Sequence, residues 1–382
     1  MKEEEMKLTG GEAVVEILKQ FGVEVMFGLP GDQTHIYDAI YRRSKIRHIL
    51  VRHEQAAAHM ADAYARASGK VGVCDATVGP GATNLVSGIA EAYTSSIPVL
   101  ALTSEIRSDW RGRGCMQEVD QLSIFRPITK FSYRVDVVSR IPEIMKRAFR
   151  VATSGKPGPV FLSFPIDTLK AEAEFPEEAF QVDSRFGKFP ATRVIAPEEE
   201  IEDSVNLLLK STRPIILCGG GVISSGAWEE VQKLSETLKI PVATTFMGKG
   251  SIPENHPLCL GSFGLLGRPV TNEWVLSSDF ILALGTRFTN VDTAAWNIPK
   301  TGVPIVQVDI DPEEIGKNYD VQMGLVGDLK VILKKMIDIL KSREFGPGTY
   351  FPALKGAEEV HAKWVKEKGV ESPLAQMNST PL

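Results

Sequence analysis

A carboxylate stands where an apolar strand meets an alanine-rich helix, in the run Arg52-His53-Glu54-Gln55-Ala56-Ala57-Ala58. Ile46 to Val51 reads as a short buried strand. Gln55 to Ser68 spaces small and apolar residues at helical intervals, and Gly69 stands where a C-terminal cap belongs. A Glu at that junction complements the positive end of the helix, an effect of under ~1 kcal/mol. The run alone leaves open whether the carboxylate also does chemistry. A second element is the turn Thr77-Val78-Gly79-Pro80-Gly81-Ala82-Thr83-Asn84, between a strand and a helix. Free backbone N–H groups there can bind an anion or let a ring approach closely, although the turn is neither a Walker A sequence nor G-x-G-x-x-G. The third is Arg111 to Asp120, a polar, Gly-interrupted loop of the kind that carries ligand contacts in α/β folds, or simply a solvated surface loop.

The elements that must position these groups repeat as strand, loop, helix. Gly11 to Phe21 predicts an amphipathic helix, Glu24 to Phe27 a strand, and Thr34 to Tyr41 a helix. Strands follow at Gly72 to Thr77 and Pro98 to Thr103, with a helix from Asn84 to Tyr93 between them. Pro159 to Phe164 closes the set. Short apolar strands alternating with helices imply a parallel sheet covered on both faces. Lys170 to Thr192 is polar and aperiodic and reads as a linker. Strands at Pro214 to Cys218, which enters Gly219-Gly220-Gly221, and at Pro241 to Thr245, Phe280 to Leu284 and Pro304 to Val308 then predict a second sheet of five or six strands. The fold class is therefore α/β, with two doubly wound parallel-sheet domains: residues 1–170, a linker over 171–192, and residues 193–345. Residues 346–382, with a helix around Trp364, read as a lead-in to something further.

Composition narrows the partners. A hydrophobic content of 43% and a charged content of 24% suit a soluble globular protein of 382 residues, and a net charge of -5 without a basic block argues against nucleic acid or an anionic membrane. No apolar run approaches the ~20 residues of a membrane span, and Met1-Lys2-Glu3-Glu4-Glu5 offers no signal-peptide core. Cys74, Cys115, Cys218 and Cys259 lack C-x-x-C spacing, so no cysteine metal site is expected and a reducing cytoplasm fits.

Taken together and in order, the motifs resemble those of the thiamine-diphosphate enzymes, specifically catalytic subunits of the acetolactate synthase type. The resemblance runs from residue 8 to 345 through FGLPGDQTHIYDAI, VRHEQAAAHMADAYARASGK, ATVGPGATNLVSGIAEAYTSSIPVL, QEVDQLSIFRPITK, TSGKPGPVFLSFPID, CGGGVISSG, HPLCLGSFG and VDIDPEEIGKN. It implies a pyrimidine-binding domain followed by a Rossmann-like central domain. By the same resemblance Glu54 is the carboxylate that activates the cofactor through the aminopyrimidine ring, so that the thiazolium carbon loses its proton and attacks a 2-oxo acid. Gly28, Pro30, Gly79 and Asn84 would shape the thiamine diphosphate pocket, Gln117 would face the reacting centre, and Lys130 would lie at the substrate entrance or be a surface residue. The activity implied is decarboxylation of pyruvate and condensation with a second 2-oxo acid. Another decarboxylase or lyase of the family, and a non-catalytic binding subunit, are the alternatives.

Relatives of this kind either hold a structural FAD in the central domain or lack it. The contacts for FAD would be Gly219, Gly220, Gly221, Thr245, Gly264, Gly285, Arg287 and Asp309. Leu266 stands where a His is usual, and Arg287-Phe288-Thr289-Asn290 replaces Arg-Phe-Asp-Asp. The family holds Mg2+ and the diphosphate through Gly-Asp-Gly and a distal Asn, a pair the sequence does not contain, so a separate diphosphate-binding domain or polypeptide is expected. A homo-oligomer, at least a dimer, is expected too, with Ala57, Ala61 and Ala65 offering a small-residue face to a second copy, and a regulatory subunit as a further partner.

Overall fold

The computed structural model describes residues 5–345, and the chain divides between Thr192 and Arg193 into two compact units. The expected lead-in at 346–382 lies outside the described residues. In the first unit the strands are β1 (Glu5–Thr9), β2 (Val25–Gly28), β3 (Arg47–Leu50), β4 (Gly72–Ala76), β5 (Val99–Glu105), β6 (Phe131–Arg134), β7 (Val160–Pro165) and β8 (Glu172–Pro176). Six of them form a parallel sheet in the order β3-β2-β4-β5-β7-β6, and β1 and β8 form a separate antiparallel ribbon. Every residue of β4, β5 and β7 is buried, as strands covered on both faces must be.

The helices that cover this sheet and carry the site are α1 (Gly10–Gln20), α2 (Thr34–Arg43), α3 (Glu54–Ser68), α4 (Pro80–Asn84) and α5 (Val86–Thr94). Thr9 and Glu12 close a reciprocal capping box on α1, each side chain taking the other's backbone N–H. α3 ends at Gly69, whose φ of +69° is the left-handed cap read from the sequence. The helix predicted from Asn84 begins instead at Pro80, whose fixed φ suits a first turn, and it breaks between Asn84 and Val86.

Two expectations are corrected here. Residues 171–192 are not a linker. They supply β8, which pairs with β1, and they bury Phe175 and Phe180 in the core of the first unit. Their polar composition hid two aromatic anchors. Nor do Ala57, Ala61 and Ala65 face outwards: all are fully buried against the unit's own elements. A Cβ on Gly72 would lie 2.0 Å from the Ala61 carbonyl oxygen, and one on Gly88 would lie 2.5 Å from the Ala58 Cβ. The small residues let α3 close on β4 and α5 within one chain, so they provide no seam for a second copy.

The second unit is a six-stranded parallel sheet of β9 (Pro214–Cys218), β10 (Val242–Thr244), β11 (Cys259–Ser262), β12 (Phe280–Leu284), β13 (Ile305–Asp309) and β14 (Met323–Val326). The order is β11-β10-β9-β12-β13-β14. Helices Glu198–Leu209, Trp228–Leu238 and Leu329–Ser342 bury their apolar faces on it. Among the described residues no helix is long and apolar enough to cross a membrane.

Candidate functional site

In the first sheet the chain runs from β2 outwards to β3, then returns to β4 on the other side. The carboxyl ends of β2 and β4 thus form a topological switch point, the crevice where open α/β sheets bind ligands. Three connections converge there: Leu29 to Asp32 after β2, Val51 to His53 after β3, and Thr77 to Gly79 after β4. Glu54 opens α3 and is only 5% exposed. The Asn84 side chain donates from Nδ2 to Glu54 Oε2 at 2.9 Å. The other oxygen, Oε1, faces Gly81, where a Cβ would lie 3.2 Å from it and 2.6 Å from the Thr77 methyl. The carboxylate is therefore held on one side and bordered by bare backbone on the other. Only Oε2 takes the Asn84 bond, and a carboxylate whose second oxygen is turned to a glycine has the chemistry that an aminopyrimidine nitrogen needs.

Gly79 has φ +66° and ψ -114°, and a Cβ on it would lie 2.2 Å from the backbone oxygen of Gln117. Gln117, itself at φ +66°, thus joins the site through its main chain while its side chain is exposed. The loop that carries it is drawn together by Glu118, whose carboxylate accepts N–H bonds from Gly112, Gly114 and Cys115. Those bonds, Gly112's foremost, hold the Glu118 carboxyl below the ordinary range. Pro30 borders an open groove of about 520 Å3 together with Tyr37, Tyr41 and His48.

The structure gives Lys130 a clear task. Its ammonium donates to the backbone oxygens of Val151 (2.6 Å), Ser154 (2.8 Å) and Lys156 (2.7 Å), at and just beyond the C-terminal end of the helix Ile141–Thr153. A cation on those carbonyls is a helix stop. Lys130→Met is expected to lower unfolding stability by about 1–2 kcal/mol in a urea titration. A variant of unchanged stability and raised KM for a 2-oxo acid would return Lys130 to the substrate entrance.

A polar group that the sequence reading passed over lies under the same crevice. Asp75, in the middle of the sheet, is fully buried, and His48 Nε2 is 3.0 and 3.2 Å from its two oxygens. Burial pushes the Asp75 carboxyl above the ordinary range and His48 pulls it part of the way back. The Tyr37 ring meets His48 edge-on with centroids 4.8 Å apart. Burial, then the Asp75 charge, push the Tyr37 hydroxyl well up. The signal was an Asp inside the apolar run Gly72 to Thr77. A Cβ on Gly28 would lie 1.3 Å from Asp75 Oδ1, so Gly28 makes room for that carboxylate. Glu105 is a second such residue, buried at the end of β5 against Gln121.

In the second unit the switch point lies between β9 and β12, and Gly219, Gly221 and Gly285 meet there. A Cβ on Gly219 would lie 2.2 Å from the Gly285 oxygen, and one on Gly221 would lie 2.7 Å from the Gly285 Cα. Those glycines are needed by turn-on-turn packing. Gly220 instead borders Met247, beside exposed Phe246. Thr245 turns its hydroxyl to the N–H of Gly248, Gly264 (φ +97°) packs on the backbone of Asp292, and Asp309 accepts from the N–H of Asp311. The Arg287 oxygen accepts from Asn318. Leu265 and Leu266 are largely exposed. Among the described residues no group of three or more His, Cys, Asp or Glu side chains could hold a metal ion.

Comparison with known proteins gives two matches in family order. Residues 8–124 match the model for the thiamine pyrophosphate enzyme N-terminal TPP binding domain, and residues 201–336 match that for the thiamine pyrophosphate enzyme central domain. The chain is 44% identical over 331 residues to a probable acetolactate synthase large subunit of Methanococcus aeolicus, covering 86% of this chain and 55% of the relative. It is 43% identical over 341 residues to the protein of the same description from Methanocaldococcus jannaschii, covering 88% and 57%. An acetolactate synthase of Arthrospira platensis is 43% identical over 339 residues, covering 87% and 58%. The chain thus spans a little over half the length of these relatives.

Proposed function

This chain belongs to the thiamine pyrophosphate enzymes, and on that premise we propose that it supplies the pyrimidine-binding and central domains of an acetolactate-synthase-like carboligase. The observation that carries the reading is the Glu54 carboxylate, buried, fixed at Oε2 by Asn84 and bordered at Oε1 by a glycine. Bound thiamine diphosphate supplies the electron sink for decarboxylation of a 2-oxo acid. Asn84 orients the carboxylate so that Oε1 takes and returns a proton at a ring nitrogen. Gly81 keeps the approach to Oε1 free of side chain, and burial keeps water from competing for that proton. Gly79 joins the Gln117 loop to the crevice.

In this reading Mg2+ and the diphosphate are held by a domain or polypeptide outside the sequence described, and the enzyme works as a cytoplasmic homo-oligomer with a regulatory subunit as a further partner. The relatives' greater length supports the first point. FAD, in a structural role, would be held at the second switch point, where Gly220 and the exposed apolar Phe246 and Met247 would border it. Leu266 and Asn290 depart from the synthase pattern and count against the flavin.

Co-expression with the diphosphate-binding half of the Methanocaldococcus relative tests the proposal. Pyruvate consumption with acetolactate formation is expected, and a flavin absorbance band should survive desalting. Carbon dioxide release without a condensed product would move the assignment to a decarboxylase. Failure to bind thiamine diphosphate by calorimetry and to consume pyruvate would overturn it, and a spectrum without the band after incubation with FAD would remove the flavin.

A further inference from the structure

We propose that Asp75 is a positioning residue for Glu54: its bridge to His48, laid across Gly28 at the end of β2, ties β4 to β3 over β2 and thereby fixes the two turns, after β2 and after β4, that frame the Glu54 carboxylate. The inference rests on reading Glu54 as the working group of the crevice.

An acid in the centre of a parallel sheet is unfavourable unless it is paired. Its partner lies two strands away, since β2 runs between β4 and β3. The register sets Gly28 beside Asp75 on one side and beside Leu50 on the other, while His48 pairs with Met26. To reach His48 the Asp75 side chain must pass over Gly28, and the 1.3 Å separation between Oδ1 and the place of a Gly28 Cβ shows that it does. Any side chain at position 28 would displace the carboxylate. Asp75, Gly28 and His48 therefore work as one clasp across three strands.

The clasp is joined to Glu54 by contacts with no slack. Thr77 lies two residues beyond Asp75. Its hydroxyl accepts the N–H of Asp32 at 3.1 Å, and its Cβ is 2.4 Å from where a Gly31 Cβ would be. The Thr77 methyl is 2.6 Å from the corresponding place on Gly81, and that place is 3.2 Å from Glu54 Oε1. Backbone thus packs on Thr77 from two turns, so displacing the end of β4 against β2 moves the glycine that borders the carboxylate. Packed interiors transmit such shifts because they hold few voids to absorb them.

The test is a double-mutant cycle with site readouts, on the full chain. Gly28→Ala is expected to lower the unfolding midpoint in the natural background and to have little effect on Asp75→Ala, where the carboxylate in its way is gone. Asp75→Asn keeps the shape and removes the charge. It should speed amide hydrogen exchange at Asp32 at least tenfold, leave Met26 in the body of β2 unchanged, and shift the Asn84 side-chain NH2 resonance that reports the Glu54 contact. Equal damage from Gly28→Ala in both backgrounds would overturn the clasp. Unchanged exchange at Asp32 with an unmoved Asn84 resonance in Asp75→Asn would overturn the positioning role, and that arm decides alone if Asp75→Ala does not fold. A Glu54→Gln protein with intact turnover, alongside a moved Asn84 resonance in Asp75→Asn, would retire the catalytic reading and keep the clasp.

Discussion

In the complex with a diphosphate-binding half, replacing Glu54 by Gln is expected to lower the exchange rate of the thiamine C2 proton, and pyruvate turnover with it, by about 10²–10⁴-fold, the range for loss of a positioned acid–base group. The amide is nearly isosteric with the carboxylate, and its oxygen can still accept from Asn84 Nδ2. What it cannot do is carry a proton at the atom that faces Gly81. The charge it removes from the start of α3 contributes under ~1 kcal/mol, so the fold should survive with a small fall in stability. The two consequences are separable: quenched-flow NMR of C2 exchange reads the chemistry, and thermal unfolding reads the helix. Unchanged exchange with a slightly lowered midpoint would reduce Glu54 to a helix-dipole charge.

Much of this site is legible in the sequence, because it lies where periodicity changes. A strand that ends at Leu50 and a helix that runs from Glu54 to its Gly69 cap fix Glu54 at a junction, and a junction in a parallel α/β sheet is a carboxyl end. The glycines of the turn after β4 announced close approach, and Gly79 and Gly81 meet Gln117 and Glu54 as such glycines should. What the sequence hid was long-range. Nothing local tells that Asp75 finds His48 over Gly28, since the partners come from three strands joined by two helices. Lys130 read as a site residue by motif, yet its ammonium finds carbonyls more than twenty residues away. The polar run after Lys170 hid β8 because an edge ribbon needs only Phe175 facing inwards to be held. β6, β11 and β14 escaped for a related reason: short edge strands lack the continuous apolar runs of the central ones.

Gly79→Ala should be a severely damaging single-methyl change in the crevice. At φ +66° and ψ -114° the residue occupies backbone space that an L side chain enters only with strain of about 1–3 kcal/mol. The added Cβ would also lie 2.2 Å from the Gln117 backbone oxygen, which cannot rotate aside as a side-chain tip could. Either the turn after β4 or the Gln117 loop must move, and misplacement of about 1 Å in such a site costs on the order of 10²-fold in rate. Gly114 supplies the control. It too has positive φ, +75°, but nothing lies within 4 Å of the place its Cβ would take. Gly114→Ala should therefore show only the conformational cost, about 1 kcal/mol, with turnover nearly intact. Urea unfolding and pyruvate turnover of the two variants, measured side by side, separate strain from collision. Equal losses in both would mean that the Gly79–Gln117 contact does not hold the site together.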